Sequence, residues 1–286
     1  MKKFMALALA LVMVLGTLTA CGGNASNAPA TAKVIEINLT EEQYAFGVDK
    51  NQPELLEKTN AFISKIKEDG TFDAICNKYF GDGTPEAVVS AELDESKDQL
   101  VVATNAAFAP FEYTEDAGKT YLGIDMEIAA LLAKELGKEL VIMDMEFESV
   151  CTSVQLGKCD IAMAGLTINE ERKDLVNFSD SYYNASQQII VLSDNTEFDA
   201  CKSAADVEAI LNGKDASCKI GVQKGTTGNW YVAGDADWGF DGFPVTCVDY
   251  SNGSLAVQDL LNGGVDYVII DSAPAAKIVE SINAVQ

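Results

Sequence analysis

The chain contains no histidine. That absence excludes Ser-His-Asp and Cys-His nucleophilic catalysis, zinc held through imidazole, and pH switching by imidazole. Positive charge is scarce: 20 Lys and Arg stand against 44 Asp and Glu, a formal net charge of −24 at pH 7. So acidic a surface repels nucleic acid and anionic headgroups, and no basic cluster offsets it, which excludes nucleic acid as a partner. The apolar run from Phe4 to Leu15 is too short to cross a bilayer. No internal repeat with a solenoid-like period is visible.

What is present begins with that run. Lys2 and Lys3 precede it and "LTAC" ends it at Cys21, the pattern of a secretory leader over residues 1–20. Cys21 after small residues looks like a bacterial lipobox, which would make it the acylated first residue of the mature protein. Residues 21–33, small, polar and Gly/Pro-containing, read as a flexible tether. The expectation is an extracytoplasmic protein, lipid-anchored to the bacterial cell membrane. Six further cysteines (Cys76, Cys151, Cys159, Cys201, Cys218, Cys247) are an even number in an exported chain. Disulfides and buried free thiols both fit that count.

The remainder is long enough for two lobes. "VIEINLTEEQYAFGVD", Val34 to Asp49, reads as a strand, a polar turn and a second strand, since its β-branched and aromatic residues partly alternate. Two strands cannot stand alone in water, and the next stretch, Pro53 to Phe80, is helical with a break at Gly70. Gly81 to Gln99 reads as a surface connection. From Leu100 onward strands and helices alternate: strands at Leu100, Leu140, Cys159, Gln187, Lys219, Val245 and Val265, helices at 125–136, 148–156, 204–211, 254–261 and 273–282. Such alternation predicts an α/β protein with mainly parallel sheets.

Three motifs carry candidate chemistry. "GLTINEER" places Thr167 and Asn169 at a helix start, with Glu170 and Glu171 in the first turn, where capping and the helix dipole favour them. Arg172 in that turn offers a two-pronged donor to a carboxylate, with Thr167 and nearby backbone N–H groups as further donors. Taken alone, Arg172 pairing with Glu170, Glu171 or Asp174 on a solvated helix is the commoner arrangement. Asp271 ends the strand "VDYVII", where open α/β sheets bind ligands, although a helix N-cap serves equally well as its role. "QKGTTGNW" sets Thr226 and Thr227 at a Gly-rich turn before a helix, without the lysine and spacing of a phosphate loop.

Together, "LVVATNAAFAPFEY", "YLGIDMEIAALLAKELG", "CDIAMAGLTINEERKDLVNFSDSYY", "IGVQKGTTG" and "VDYVIIDSAP" resemble the bacterial extracellular solute-binding proteins of family 3. These receptors feed polar amino acids to ABC importers. The resemblance implies a two-lobed type 2 periplasmic-binding-protein fold with two crossover hinge strands. The usual family order closes with a segment like 44–81, which here comes first, so the order implies a circular permutation with old ends joined through Gly81 to Gln99. The expected organisation is a smaller lobe from 34–43 and 194–286, hinge strands at 44–49 and 188–193, and a larger lobe from 50–187. Tyr44 to Val48 is expected to pair near Gln188 to Leu192.

The resemblance also implies the site. Arg172 would take a ligand carboxylate with Thr167, Thr226 and Thr227, and Asp271 the ammonium. Phe108 and Phe147 would be aromatic walls, and Ala164 and Gly165 further contacts. Asn105 stands where relatives that take cationic side chains often have an acid, and Gln223 where some have Lys. That departure favours a neutral polar L-amino acid, since a buried unmatched charge is costly. No catalytic residue, metal or cofactor is implied. The expected partners are a free amino acid, an ABC permease, and the membrane through lipid; the protein is expected to be a monomer. A dehydratase-like enzyme on the same fold is one alternative, with Glu112 or Glu148 as its acids, each read more simply as solvated. A ligand-sensing module for a partner receptor is another.

Overall fold

The computed structural model describes residues 29–115 and 120–285. The leader, Cys21 and most of the tether lie outside the described residues. Among those described, no helix is long and apolar enough to cross a membrane.

Two five-stranded sheets organise the chain. In one, the order is Ala32–Ile35, Gln187–Leu192, Tyr267–Asp271, Lys219–Gln223, Thr246–Tyr250. The last three strands run parallel to one another, and the first two pair antiparallel. In the other, the order is Asn177–Phe178, Gly47–Val48, Ile161–Ala162, Gln99–Thr104, Glu139–Asp144. Here Gln99–Thr104 lies between two parallel neighbours. Helices Ile124–Leu136 and Phe147–Gln155 link the parallel strands of this sheet, and Thr227–Ala233 and Gly253–Leu261 those of the first. This is the α/β alternation that the hydrophobic pattern predicts.

Local chemistry explains the elements. Helix Pro53–Glu68 starts with proline at its first position, where no N–H is needed, and buries Leu55, Phe62, Ile63 and Ile66 on one stripe. Gly70, at φ 81°, turns the chain into helix Thr71–Phe80. Asn169, Ser203 and Asn252 each cap a helix by accepting from a backbone N–H three residues on. One face of the first sheet packs Ile189, Val191, Ile220, Val222 and Ile269 against Val207, Leu211 and Val232. One face of the second packs Ala103 and Ala162 against Val150, Val154 and Val176. Each such aliphatic side chain contributes about 1.5–3 kcal/mol when taken fully from water.

The opening strands depart from expectation. Ala32–Ile35 lies at the edge of the first sheet, beside Gln187–Leu192. Tyr44 to Val48, however, does not pair with Gln188 to Leu192, whose two edges are taken by Ala32–Ile35 and Tyr267–Asp271. Instead Glu42–Tyr44 pairs with Tyr183–Ala185, and Gly47–Val48 enters the second sheet between Ile161–Ala162 and Asn177–Phe178. The glycine fits because Val176 Cγ2 sits 2.8 Å from where a β-carbon would stand. Alternation marks a strand but not its partner. The connection 81–99 also carries a short strand, Val88–Val89, paired with Thr120–Tyr121. Residues 36–46 and 179–186 are thus the two chain crossings between the sheets, and they pair with each other midway.

Candidate functional site

Four strands of the two sheets end at one cleft. Asn105 follows Gln99–Thr104, Gly165 and Thr167 follow Ile161–Ala162, Gln223 ends Lys219–Gln223, and Asp271 ends Tyr267–Asp271. Ligands bind at such carboxyl ends because loops there are free to vary while the strands hold them rigid. Phe108, Phe147, Gly165, Thr167, Arg172, Gln223, Thr226, Thr227 and Asp271 line one narrow cavity. Asn105 adjoins it through a hydrogen bond from Gln223. Ala164 does not line it; its methyl is packed in the core with Val150 and Leu166. A larger open groove shares Thr167 and Thr227 with the cavity.

Arg172 is 6% exposed. It does not pair with Glu170, Glu171 or Asp174; Glu170 pairs with Lys173. Its Nη1 donates to the Thr167 carbonyl (2.8 Å) and its Nη2 to the Gly225 carbonyl on the other side of the cleft (3.2 Å). The rings of Phe147, Trp230 and Trp238 stand 5.1, 5.4 and 5.9 Å from the guanidinium carbon. Among the described residues no carboxylate pairs with it. Burial lowers its pKa, but an arginine keeps its charge in a protein. A buried cation held only by carbonyls and ring faces is poised for an anion.

Asp271 is 5% exposed and comes from the other lobe. Its Oδ1 accepts from the Tyr44 hydroxyl, and no cation pairs with it among the described residues. Burial pushes its pKa up to about 7, the neighbouring Glu42 charge adds to this, and the Tyr44 hydrogen bond works against it. Arg172 and Asp271 therefore face one cavity as opposite buried charges, neither neutralised by the other. The hydroxyls are less free than the motifs suggest. Thr167 Oγ1 donates to Glu42 (2.7 Å) and Thr226 Oγ1 to the Gln223 carbonyl (2.7 Å). Donors for an anion from that turn are then the N–H groups of Thr227 and Gly228, which have no partner within their helix.

The lobes touch across the cleft at two further points: Gln223 Nε2 donates to Asn105 Oδ1 (3.1 Å) and Lys224 pairs with Glu148 (3.0 Å). Within the lobe of the first sheet, Trp230 stacks on Trp238 (4.6 Å between centroids) beside Arg172. Glu148 is half-exposed and paired rather than free. Glu112 corrects the sequence reading: it is 0% exposed, both carboxylate oxygens lack a partner, and burial raises its pKa well above the usual range. It does not line the cavity. Sequence reasoning missed Tyr44, Glu42 and the two tryptophans. Glu42 and Tyr44 meet Thr167 and Asp271 from 125 and 227 residues away. Their only local signal was a polar residue and an aromatic in a short alternating run.

Comparison with known proteins identifies the family and the fold. Residues 100–274 match the model of the bacterial extracellular solute-binding proteins, family 3. An arginine-binding extracellular protein, ArtP of Bacillus subtilis, is 38% identical over 102 residues, 36% of this chain and 39% of the relative. A probable histidine-binding protein of Neisseria gonorrhoeae is 31% identical over 180 residues, 63% of this chain and 61% of the relative. The chain thus spans less than two thirds of the length of these curated relatives. Among solved structures, an ancestral amino acid-binding protein described as a precursor of cyclohexadienyl dehydratase superposes with a TM-score of 0.55 at 34% identity. That match covers 65% of this chain and 75% of the other. An ancestral arginine-binding protein bound to glutamine superposes with a TM-score of 0.53 at 36% identity, covering 65% and 74%. The fold is the two-lobed type 2 periplasmic binding fold of those proteins.

Proposed function

This chain belongs to the bacterial extracellular solute-binding proteins, family 3, and on that premise we propose that it is the extracytoplasmic receptor of an ABC importer. It captures an L-amino acid, neutral and polar in its side chain, and hands it to a permease. The observation that carries this is the pair of buried charges Arg172 and Asp271, on opposite sides of one cavity and with no ion-pair partner among the described residues. A zwitterion neutralises both at once, its carboxylate on Arg172 and the first-turn N–H groups of Thr227 and Gly228, its ammonium on Asp271. Phe108 and Phe147 wall the ligand, and Asn105 with Gln223 meets its side chain without net charge.

Closure follows from the same arrangement. Arg172 belongs to the lobe built on the second sheet and Asp271 to the lobe built on the first. A ligand gripping both binds the shut cleft better than the open one, and only that difference shifts the population. The hinge in this reading is the pair Glu42–Tyr44 and Tyr183–Ala185. The chain order is that of a circular permutation. Supporting it, the family match begins at residue 100, while residues 32–48 supply strands to both sheets. The anchor is Cys21, so the lipid tether would reach the smaller lobe beside Val34.

An enzyme on this fold is the rival, and one solved relative precedes a dehydratase. It would need a free proton-transfer group in the cavity. Asp271 is the carboxylic acid lining that cavity, and Tyr44 already engages it. Mass spectrometry of ligand released from the unfolded protein, followed by calorimetry with a panel of amino acids, tests the receptor reading. Unchanged amino acid recovered and rebound supports it; a chemically altered product, or no amino acid binding, refutes it.

A further inference from the structure

We infer that the side-chain oxygen of Gln223 is a specificity element that demands a hydrogen-bond donor on the ligand's side chain. This rests on the amino acid receptor reading and narrows it to a ligand class.

The geometry fixes which way the Gln223 amide faces. Asn105 Nδ2 donates to the Met145 carbonyl (2.7 Å), and a carbonyl can only accept. The other end of that amide, Asn105 Oδ1, must then be the atom turned toward Gln223, and it accepts from Gln223 Nε2 (3.1 Å). Turning the Gln223 amide over would bring two oxygens together. Its Oε1 is therefore the leftover atom, and it is buried with no hydrogen-bond partner. Gln223 is 2% exposed and lines the cavity, while Thr226 Oγ1 pins its backbone carbonyl.

A buried acceptor left unmatched is destabilising, and a ligand donor removes that cost on binding. A side chain offering an N–H, as a carboxamide does, satisfies it. A thioether of the same length, or an ionised carboxylate, leaves it unmatched or repels it. A site built around such an atom rejects the analogue that lacks the group.

Calorimetry at pH 7.5 with L-glutamine, its near-isostere L-methionine and L-glutamate tests this. Wild-type protein should bind glutamine at least tenfold tighter than either. Gln223→Leu, with folding checked by its melting temperature, should bring the glutamine-to-methionine ratio to within about threefold. Asn105→Ala frees the amide to turn and should likewise lower the ratio, which keeps the test alive if Gln223→Leu fails to fold. Methionine binding as tightly as glutamine in wild type, or a ratio unchanged in both variants, overturns the inference while leaving the receptor reading standing. Absence of binding by all three, and by the other common L-amino acids, overturns both.

Discussion

Replacing Asp271 with asparagine should stabilise the ligand-free protein while abolishing its binding. Moving a carboxyl pKa from 3.8 to about 7 penalises the ionised form by about 4 kcal/mol at pH 7.5, at about 1.4 kcal/mol per pH unit. Asparagine has the same shape, carries no charge and can still accept from Tyr44. Discounting half for imperfect replacement of hydrogen bonds leaves a net gain of about 2 kcal/mol, or roughly 4–8 °C in Tm for a chain of this size. The sign of the pH dependence is fixed. Between about pH 4 and pH 7 the folded wild type holds a proton that the unfolded chain has released, so its stability falls as pH rises through that window. The advantage of Asp271→Asn is therefore greatest above pH 7 and shrinks toward pH 4. On the binding side, the variant leaves a ligand ammonium buried without its anion, a loss of about 3–5 kcal/mol or at least a hundredfold in Kd. Scanning calorimetry of both proteins without ligand at pH 7.5 and 5.0, with titration calorimetry beside it, measures all three effects. A variant less stable than wild type at pH 7.5, or one that keeps wild-type affinity, would refute the reasoning.

Three further outcomes follow from the same geometry. Because ligand-free Asp271 titrates near pH 7 and only its ionised form holds an ammonium, Kd should be flat above pH 7 and rise toward tenfold per pH unit below it. Titrations at pH 8, 7, 6 and 5 read that slope, which should be absent from any residual binding by Asp271→Asn. The chain's two tryptophans stack on one another beside Arg172, so ligand should change intrinsic fluorescence with the midpoint found by calorimetry. Trp238→Ala should weaken binding about five- to thirtyfold through loss of a ring contact to a desolvated cation. Glu148→Gln removes a half-exposed pair with Lys224 and should shift Kd by less than about fivefold.

Much of the architecture was readable because period-2 and period-3.6 patterns are local. Helix 124–136 and the strands at Leu100, Lys219 and Val265 announce themselves through their own residues. The partner of Tyr44 to Val48 was not readable. The run alternates like one strand, yet the structure divides it between Tyr183–Ala185 and the second sheet. What decides that is the space beside Gly47 and the already filled edges of Gln187–Leu192, both set by distant residues. The cavity shows the same contrast. Arg172, Asp271, Thr226 and Thr227 sit at helix starts and strand ends that their own sequence marks. Tyr44 and Glu42 act through contacts more than 120 residues away, and no local pattern carries that. Glu112 was read as solvated from its charge, whereas the hairpin pairing it with Phe108 holds it in the interior.

In the proposed receptor, two buried charges from opposite lobes hold the two ends of one zwitterion. Calorimetric titration with the tightest-binding L-amino acid, its N-acetyl derivative and its α-carboxamide tests that most directly. Blocking the ammonium removes the partner of Asp271, and blocking the carboxylate removes the partner of Arg172. Each derivative should bind at least a hundredfold more weakly than the parent. Either derivative binding within tenfold of the parent would contradict the account.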